Sequence, residues 1–184
     1  ERDVARRLRD AEALLFATGN ARGVSVTILR PTLVYGSGRD ANLSKLAQLA
    51  LRHGRLWLPR TACGLRQPVH VDDVALAAMA AISATATGAV AYDVPGGETL
   101  PYRDMVQRVL ACLSPPPRLL LLPAPLFGMA LTAAHWRGIA RELTPAVLQR
   151  MQEHLVFDAQ PAQRDLSYAP RLFLPEAGMF VARD

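Results

Sequence analysis

Arg66-Gln67-Pro68-Val69-His70-Val71-Asp72-Asp73 concentrates the groups in this chain that could do chemistry. A guanidinium forks onto phosphate oxygens bidentately and stays charged at physiological pH, so Arg66 is a candidate anion ligand, with a surface ion pair as the alternative. Arg60 and Arg55, close by in sequence, could add to the same positive site. His70 could move a proton, but a place between two valines at a strand end is the setting of a structural histidine. Asp72 and Asp73 could pair as acids or hold a metal. Standing before an Ala/Val/Leu/Met run, they read instead as helix-start residues, Asp72 at the N-cap and Asp73 in the first turn, where the helix dipole favours an acid. Asn42, at the start of another helical pattern, either caps it or donates to a ligand. No Ser-His-Asp or Cys-His arrangement has a local signature, so no catalytic residue is assigned. Cys63 and Cys112 lack the spacing of a zinc site or a disulfide framework, and no metal ligands are assigned.

These residues need elements to hold them. Thr27 to Asp40, TILRPTLVYGSGRD, organises the chain. Val24 to Leu29 is a β-branched apolar run that reads as a buried strand, ended by Pro31, which donates no backbone hydrogen bond and holds Arg30 extended. Gly36 and Gly38 then mark a turn before a helix over Asn42 to His53. A strand, a loop, a Gly turn and a helix in that order belong at the carboxyl ends of parallel strands, where α/β proteins place ligands.

Upstream, Asp3 to Thr18 reads as an amphipathic helix, with Val4, Leu8, Ala11, Leu14 and Leu15 at three- and four-residue spacing and Gly19-Asn20 as its stop. Downstream, Arg55 to Pro59 is extended, Val74 to Ser83 reads as a buried helix, and Val90 to Val94 as a strand. Pro95-Gly96-Gly97 turns the chain, and Pro101 opens a helix to about Leu113. Pro115-Pro116-Pro117 is a rigid connector to an extended Arg118 to Leu122. Helices follow over Ala124 to His135 and Pro145 to His154, then a short piece over Phe157 to Tyr168 and a helical tail after Pro175.

The 184 residues suit one domain with a real core. The net charge of +5 comes from scattered arginines and one lysine, Lys45. Only Arg52 to Arg66 comes near the basic, aromatic-interleaved face of a nucleic-acid binder, so no nucleic acid is expected. Two cysteines fit a reducing cytoplasm. The apolar stretch Leu119 to Ala134 falls short of the roughly 20 residues a membrane span needs and is interrupted by Pro123 and Pro125, so no span is expected.

Several blocks together resemble one family. Ala11-Glu12 with Leu14-Leu15 is similar to the end of an active-site helix. Arg30-Pro31-Thr32-Leu33-Val34-Tyr35-Gly36 resembles RPxxVYG, and Arg66 to Asp73 resembles RxxxHVxDVA. Tyr92 to Leu100 is similar to YNVGGGExL, and Asp158 to Pro170 to D-x-x-x-A-x-x-x-L-G-[FYW]-x-P. In this order they resemble the extended short-chain dehydrogenase/reductases, the NAD-dependent nucleotide-sugar epimerases and dehydratases. The resemblance implies an α/β fold, the C-terminal part of a Rossmann-like enzyme carrying the substrate-binding lobe over residues 1–184, with the N-terminal dinucleotide-binding half absent. It implies NAD or NADP in the full-length parent and none for this chain alone, which is expected to be inactive. It assigns Arg66 to a nucleotide-sugar-like small molecule, to which Asn42 and Arg60 are the further candidate ligands, and places Pro31, Thr32 and Leu33 on the cofactor side. Leu33 stands where many relatives carry an asparagine that binds the substrate nucleotide.

Two departures matter. The family's Tyr-x-x-x-Lys pair, counted back from Glu12, falls on Val4 and Leu8, neither of which can move a proton. Gly36-Ser37-Gly38-Arg39-Asp40-Ala41 fits G-x-G-x-x-A, but no acid follows between Ala41 and Val71 to hold a ribose, so a self-contained dinucleotide module is the weakest reading. The leading expectation is a fragment of an NAD(P)-dependent nucleoside-diphosphate-sugar epimerase or dehydratase. Val4 and Leu8 favour the alternative, a non-catalytic binding or assembly subunit. A strand and a helix stripped of sheet partners should make the fragment associate with itself.

Overall fold

A computed structural model of the chain describes residues 2–84, 88–136 and 145–180. Helix α1 (Arg2–Arg22) leads into strand β1 (Val26–Pro31) and a short β2 (Val34–Tyr35). Then come α2 (Leu43–His53), β3 (Arg55–Pro59), β4 (Leu65–Arg66), β5 (Val69–His70) and α3 (Val71–Ser83). After β6 (Ala89–Val94) and β7 (Leu100–Pro101) follow α4 (Tyr102–Ala111), β8 (Arg118–Leu122), α5 (Ala124–Trp136), α6 (Pro145–Arg150) and α7 (Gln160–Leu166). A 3₁₀ turn covers Ala177–Met179, which is what the expected helical tail amounts to there; residues 181–184 lie outside the described residues.

Strands pair as β1 with β6, β2 with β5 and β3 with β8, all parallel, and β4 with β7 antiparallel. Side chains alternate across a strand, and β1 uses that alternation to hold helices on both faces. Arg30 donates to Glu12 of α1, while Leu29, one residue away, packs with Ala77 of α3 and Ala162 and Leu166 of α7. The β1–β6 pair therefore lies between α1 and the α3–α7 pair. A second, larger core joins α2, β3 and α4 through Ala47, Ala50, Leu56, Leu58, Met105 and Val109.

Several expectations shift. Helix α1 runs through Gly19-Asn20 to Arg22, because Gly23 makes the turn and the Val24 N–H returns to the Gly19 carbonyl at 2.9 Å. Strand β1 starts at Val26 rather than Val24, and Pro31 closes it as its last paired residue, opposite Val94. The strand is half-buried rather than buried, having β6 as its one partner among the described residues. Helix α3 is not a buried helix either. Asp73 and Ala77 face inward, and Leu76, Met79 and Ile82 face outward.

Candidate functional site

The loops that leave β1 and β6 meet the Gln67–Pro68 segment between β4 and β5 at the carboxyl ends of the parallel β1–β6 pair. Thr32 Oγ1 donates a short hydrogen bond to the Gln67 carbonyl, and the Gly96 N–H donates to the same oxygen at 3.2 Å. The Leu33 carbonyl accepts the Val69 N–H at 3.0 Å, so β2 enters beside β5. Gln67 is itself held, its side-chain oxygen accepting the Phe157 N–H at 2.7 Å. These bonds bring Pro31, Thr32 and Leu33 beside the segment that carries Arg66 and His70.

Arg66 is 7% exposed and its guanidinium is engaged by backbone. Nη1 donates to the Leu65 carbonyl at 2.8 Å and the Glu153 carbonyl at 2.7 Å, and Nη2 donates to the Arg150 carbonyl at the end of α6. The cation also lies 5.4 Å from the Tyr102 ring centroid, a distance at which it is attracted to the ring. Burial pulls its pKa below the ordinary arginine value, though a guanidinium remains charged. Arg66 thus fastens the chain after α6 onto β4, and its Nε–H has no acceptor among the described residues.

Asn42 and Arg60 sit on other loops, both exposed, and no hydrogen bond joins either to Arg66. Asn42 occupies the N-cap of α2, yet its side chain makes no cap bond. Asp40 does that work: Oδ1 accepts the N–H of Asn42 and of Ser44, each at 3.1 Å, and Oδ2 accepts the Ser44 hydroxyl.

Asp72 is displaced from the N-cap of α3 in the same way. The cap is His70, whose Nδ1 accepts the Asp72 N–H at 3.2 Å, so the imidazole is structural as expected. The ring also meets Tyr35 edge-on, 5.1 Å between centroids. Gly36 is pressed against its far side: a Cβ there would lie 2.5 Å from His70 Nε2, and φ is +108°. The Gly36–Gly38 turn is therefore packed against an imidazole rather than open as a phosphate cradle.

Asp73, expected in the first turn of α3 and found there, has a partner that the sequence did not announce. Asp73 is 5% exposed and accepts two hydrogen bonds from Arg171, from its backbone N–H at 3.0 Å and Nε at 2.9 Å, with Nη2 in ion-pair contact at 2.8 Å. Next to it Tyr168 donates to the Pro95 carbonyl at 2.7 Å. Burial raises the pKa of Tyr168 and of Tyr35, and the Asp73 charge raises both further, so neither phenol is poised to lose a proton. A cleft of 140 Å³ between α3 and α7, lined by Asp73, Leu76, Ala77, Leu166, Ser167, Tyr168 and Ala169, holds none of the expected ligand residues. Val4 and Leu8 both project from α1 into solvent, 59% and 62% exposed. Among the described residues no cluster of histidine, cysteine or carboxylate side chains could hold a metal.

Residues 9–94 match the family model "NAD dependent epimerase/dehydratase family". The chain is 29% identical over 177 residues to the 2-alkyl-3-oxoalkanoate reductase of Stenotrophomonas maltophilia, covering 90% of this chain and 53% of that protein. Among solved structures it resembles the UDP-glucose 4-epimerase of Thermotoga maritima with UDP-glucose, at TM-score 0.65 and 17% identity, over 94% of this chain and 49% of the other. It also resembles RMD from Pseudomonas aeruginosa complexed with NADPH, at TM-score 0.62 and 17% identity, over 89% and 49%. The chain spans about half the length, or less, of the curated relatives it matches. Its fold is the Rossmann-like α/β fold of these solved structures, and residues 9–94 are similar to the NAD dependent epimerase/dehydratase family.

Proposed function

We propose that the chain is the substrate-side, C-terminal portion of an NAD(P)-dependent epimerase or dehydratase that acts on a nucleoside-diphosphate sugar in the cytoplasm. The observation that carries this reading is the junction of Thr32, Gln67 and Gly96, which gathers three loops at the carboxyl ends of parallel strands, where α/β folds take cofactor and substrate together. The comparisons support it: the solved epimerase holds UDP-glucose and the solved RMD holds NADPH.

The described residues fit one side of a dinucleotide. Pro31, Thr32 and Leu33 form a strand-end wall, and Thr32 Oγ1, donating to Gln67, keeps its lone pairs for an acceptor role. The turn at Gly36, closed by His70, offers no pyrophosphate cradle, so the other half of the parent supplies those donors. The cofactor, when bound, supplies hydride exchange. On the substrate side the exposed Asn42 amide and Arg60 guanidinium, with the Nε–H of Arg66, are the donors for diphosphate and base. A second reading rests on Val4 and Leu8. With these side chains in place of a phenol and an ammonium, the same lobe serves as a non-catalytic binding or assembly subunit. In either reading the lone portion covers its exposed helix and strand by pairing with a second copy.

Calorimetric titration of the chain with NAD, NADH, NADP, NADPH and UDP-glucose tests the division of labour. The expected result is no low-micromolar dinucleotide binding and UDP-glucose binding that Asn42→Ala and Arg60→Ala weaken. Low-micromolar NAD(P) binding would overturn it, as would UDP-glucose affinity indifferent to both substitutions. A longer parent that binds UDP-glucose without turning it over would favour the second reading.

A further inference from the structure

We infer that the outer face of the β3–β8 ribbon, together with α5, is a docking surface for an anionic lipid bilayer. The parallel register sets Arg55 opposite Arg118 and Trp57 opposite Leu120, so these four share one side of the ribbon. The other side carries Leu56 and Leu58 into the core with α2 and α4. Arg55, Arg118 and Trp57 are exposed.

Like charges directly opposite on paired strands repel, and among the described residues no carboxylate answers this pair. Arg6, Arg30, Arg108, Arg164 and Arg171 each hold an acid; among the described residues Arg55 and Arg118 do not, and the register places them side by side. Two adjacent, uncompensated guanidiniums ask for an anion from outside.

Helix α5 packs against β3 and reads APLFGMALTAAHW, with no Asp, Glu, Lys or Arg. Phe127 is buried, whereas Leu126 is 51% and Met129 70% exposed. A helix apolar on every side belongs in a core or in lipid. Its 13 residues are too few to span a bilayer, which takes about 20, and among the described residues no helix is long and apolar enough to cross one. One occupant answers both features. Headgroup phosphates neutralise Arg55 and Arg118, while Trp57, Leu126 and Met129 enter the headgroup–acyl boundary. A nucleic acid would answer only the charge, and an apolar protein face only the helix. The inference stands apart from the cofactor reading.

The test mixes the chain with phosphatidylcholine vesicles with and without phosphatidylglycerol. It reads co-sedimentation and the emission of Trp57 and Trp136, the chain's 2 tryptophans. Binding and a blue shift are expected with phosphatidylglycerol only, weakening as salt rises. Arg55→Ala with Arg118→Ala should lower the partition about thirtyfold, each guanidinium being worth about fivefold. Leu126→Asp with Met129→Asp should lower it too while leaving the arginines in place. Circular dichroism verifies that both variants fold. Absence of partition onto phosphatidylglycerol vesicles, or partition unchanged in the arginine variant, would overturn the inference. So would concentration-dependent self-association that Met129→Asp abolishes without any vesicle binding, which would make a second copy the occupant.

Discussion

Asp73 and Arg171, 98 residues apart, tie the start of α3 to the C-terminal segment: one carboxylate accepts the Arg171 backbone N–H at 3.0 Å and its Nε–H at 2.9 Å, with Nη2 in ion-pair contact at 2.8 Å. The carboxylate is buried, and the guanidinium is 44% exposed. Replacing the carboxylate by an amide removes its charge and one of its two acceptor oxygens, so either the backbone N–H or the guanidinium loses its acceptor. Asp73→Asn should therefore cost on the order of 1–3 kcal/mol, toward the low end because water reaches the arginine. Urea unfolding of Asp73→Asn, Arg171→Met and the double variant checks this. The double variant should lose clearly less than the two singles combined; additive losses would show that the pair does not act as a unit.

Glu98 sets the acid limit of the same segment. Its carboxylate takes a two-pronged bond from Arg108, 2.7 and 2.8 Å, and accepts the Phe173 N–H at 3.2 Å. The arginine bond holds the Glu98 pKa below its ordinary value, against the opposing effect of burial. A carboxyl whose folded pKa is depressed stabilises the fold above its unfolded pKa, about 4.3, and loses that contribution as pH falls through the lower folded value. Wild-type stability should accordingly decline below about pH 4.3, and Glu98→Gln should show a shallower decline over that window. Chemical unfolding from neutral pH down to pH 3 measures it, and parallel curves would rule out Glu98 as the titrating group.

Gly36 and Gly54 separate two costs. Both have positive φ, +108° and +65°, but a Cβ on Gly54 meets nothing within 4 Å, while one on Gly36 strikes His70. Gly54→Ala should cost about 1 kcal/mol of backbone strain alone. Gly36→Ala should cost more, up to about 3 kcal/mol, and should disturb the His70 cap on α3. Thermal unfolding compares them, and equal losses would mean that the Gly36–His70 contact carries no weight.

What the sequence made legible follows from how local each signal is. Strand β3 falls at Arg55–Pro59 as expected, because Leu56 and Leu58 alternate with exposed neighbours. The RPTLVYG and HVDDVA blocks led to the fold, and to the family whose model matches residues 9–94, because each motif is contiguous. Caps were harder. Asn42 and Asp40 are both good capping types two residues apart, and only the backbone shows which carboxylate or amide reaches the free N–H groups. Composition alone could not show that Leu76, Met79 and Ile82 face outward on α3. The same limit hid the site's main ties. Arg66 closes on carbonyls 84 and 87 residues away and Asp73 on a guanidinium 98 away, and no local pattern announces a partner at that distance.

The exposed stripe on α1 carries the last prediction. Val4, Leu8 and Leu15 stand 59, 62 and 54% exposed along the same stripe of α1 as Glu12, which pairs with Arg30 of β1. Beside it, β1 has one paired neighbour among the described residues, β6, and its other edge leaves Val26 half-buried. An apolar helix face next to an unpaired strand edge templates another chain. The simplest closed arrangement is a two-fold contact in which each copy's helix or edge covers its counterpart. Each large apolar side chain removed from water there contributes about 1.5–3 kcal/mol, whereas a carboxylate in its place must be desolvated without a partner. Sedimentation equilibrium over a wide concentration range should therefore show wild-type dimers and Leu8→Asp monomers, with circular dichroism verifying that the variant still folds. A wild-type chain that stays a folded monomer at high micromolar concentration would show that α1 and the β1 edge need no second copy to cover them.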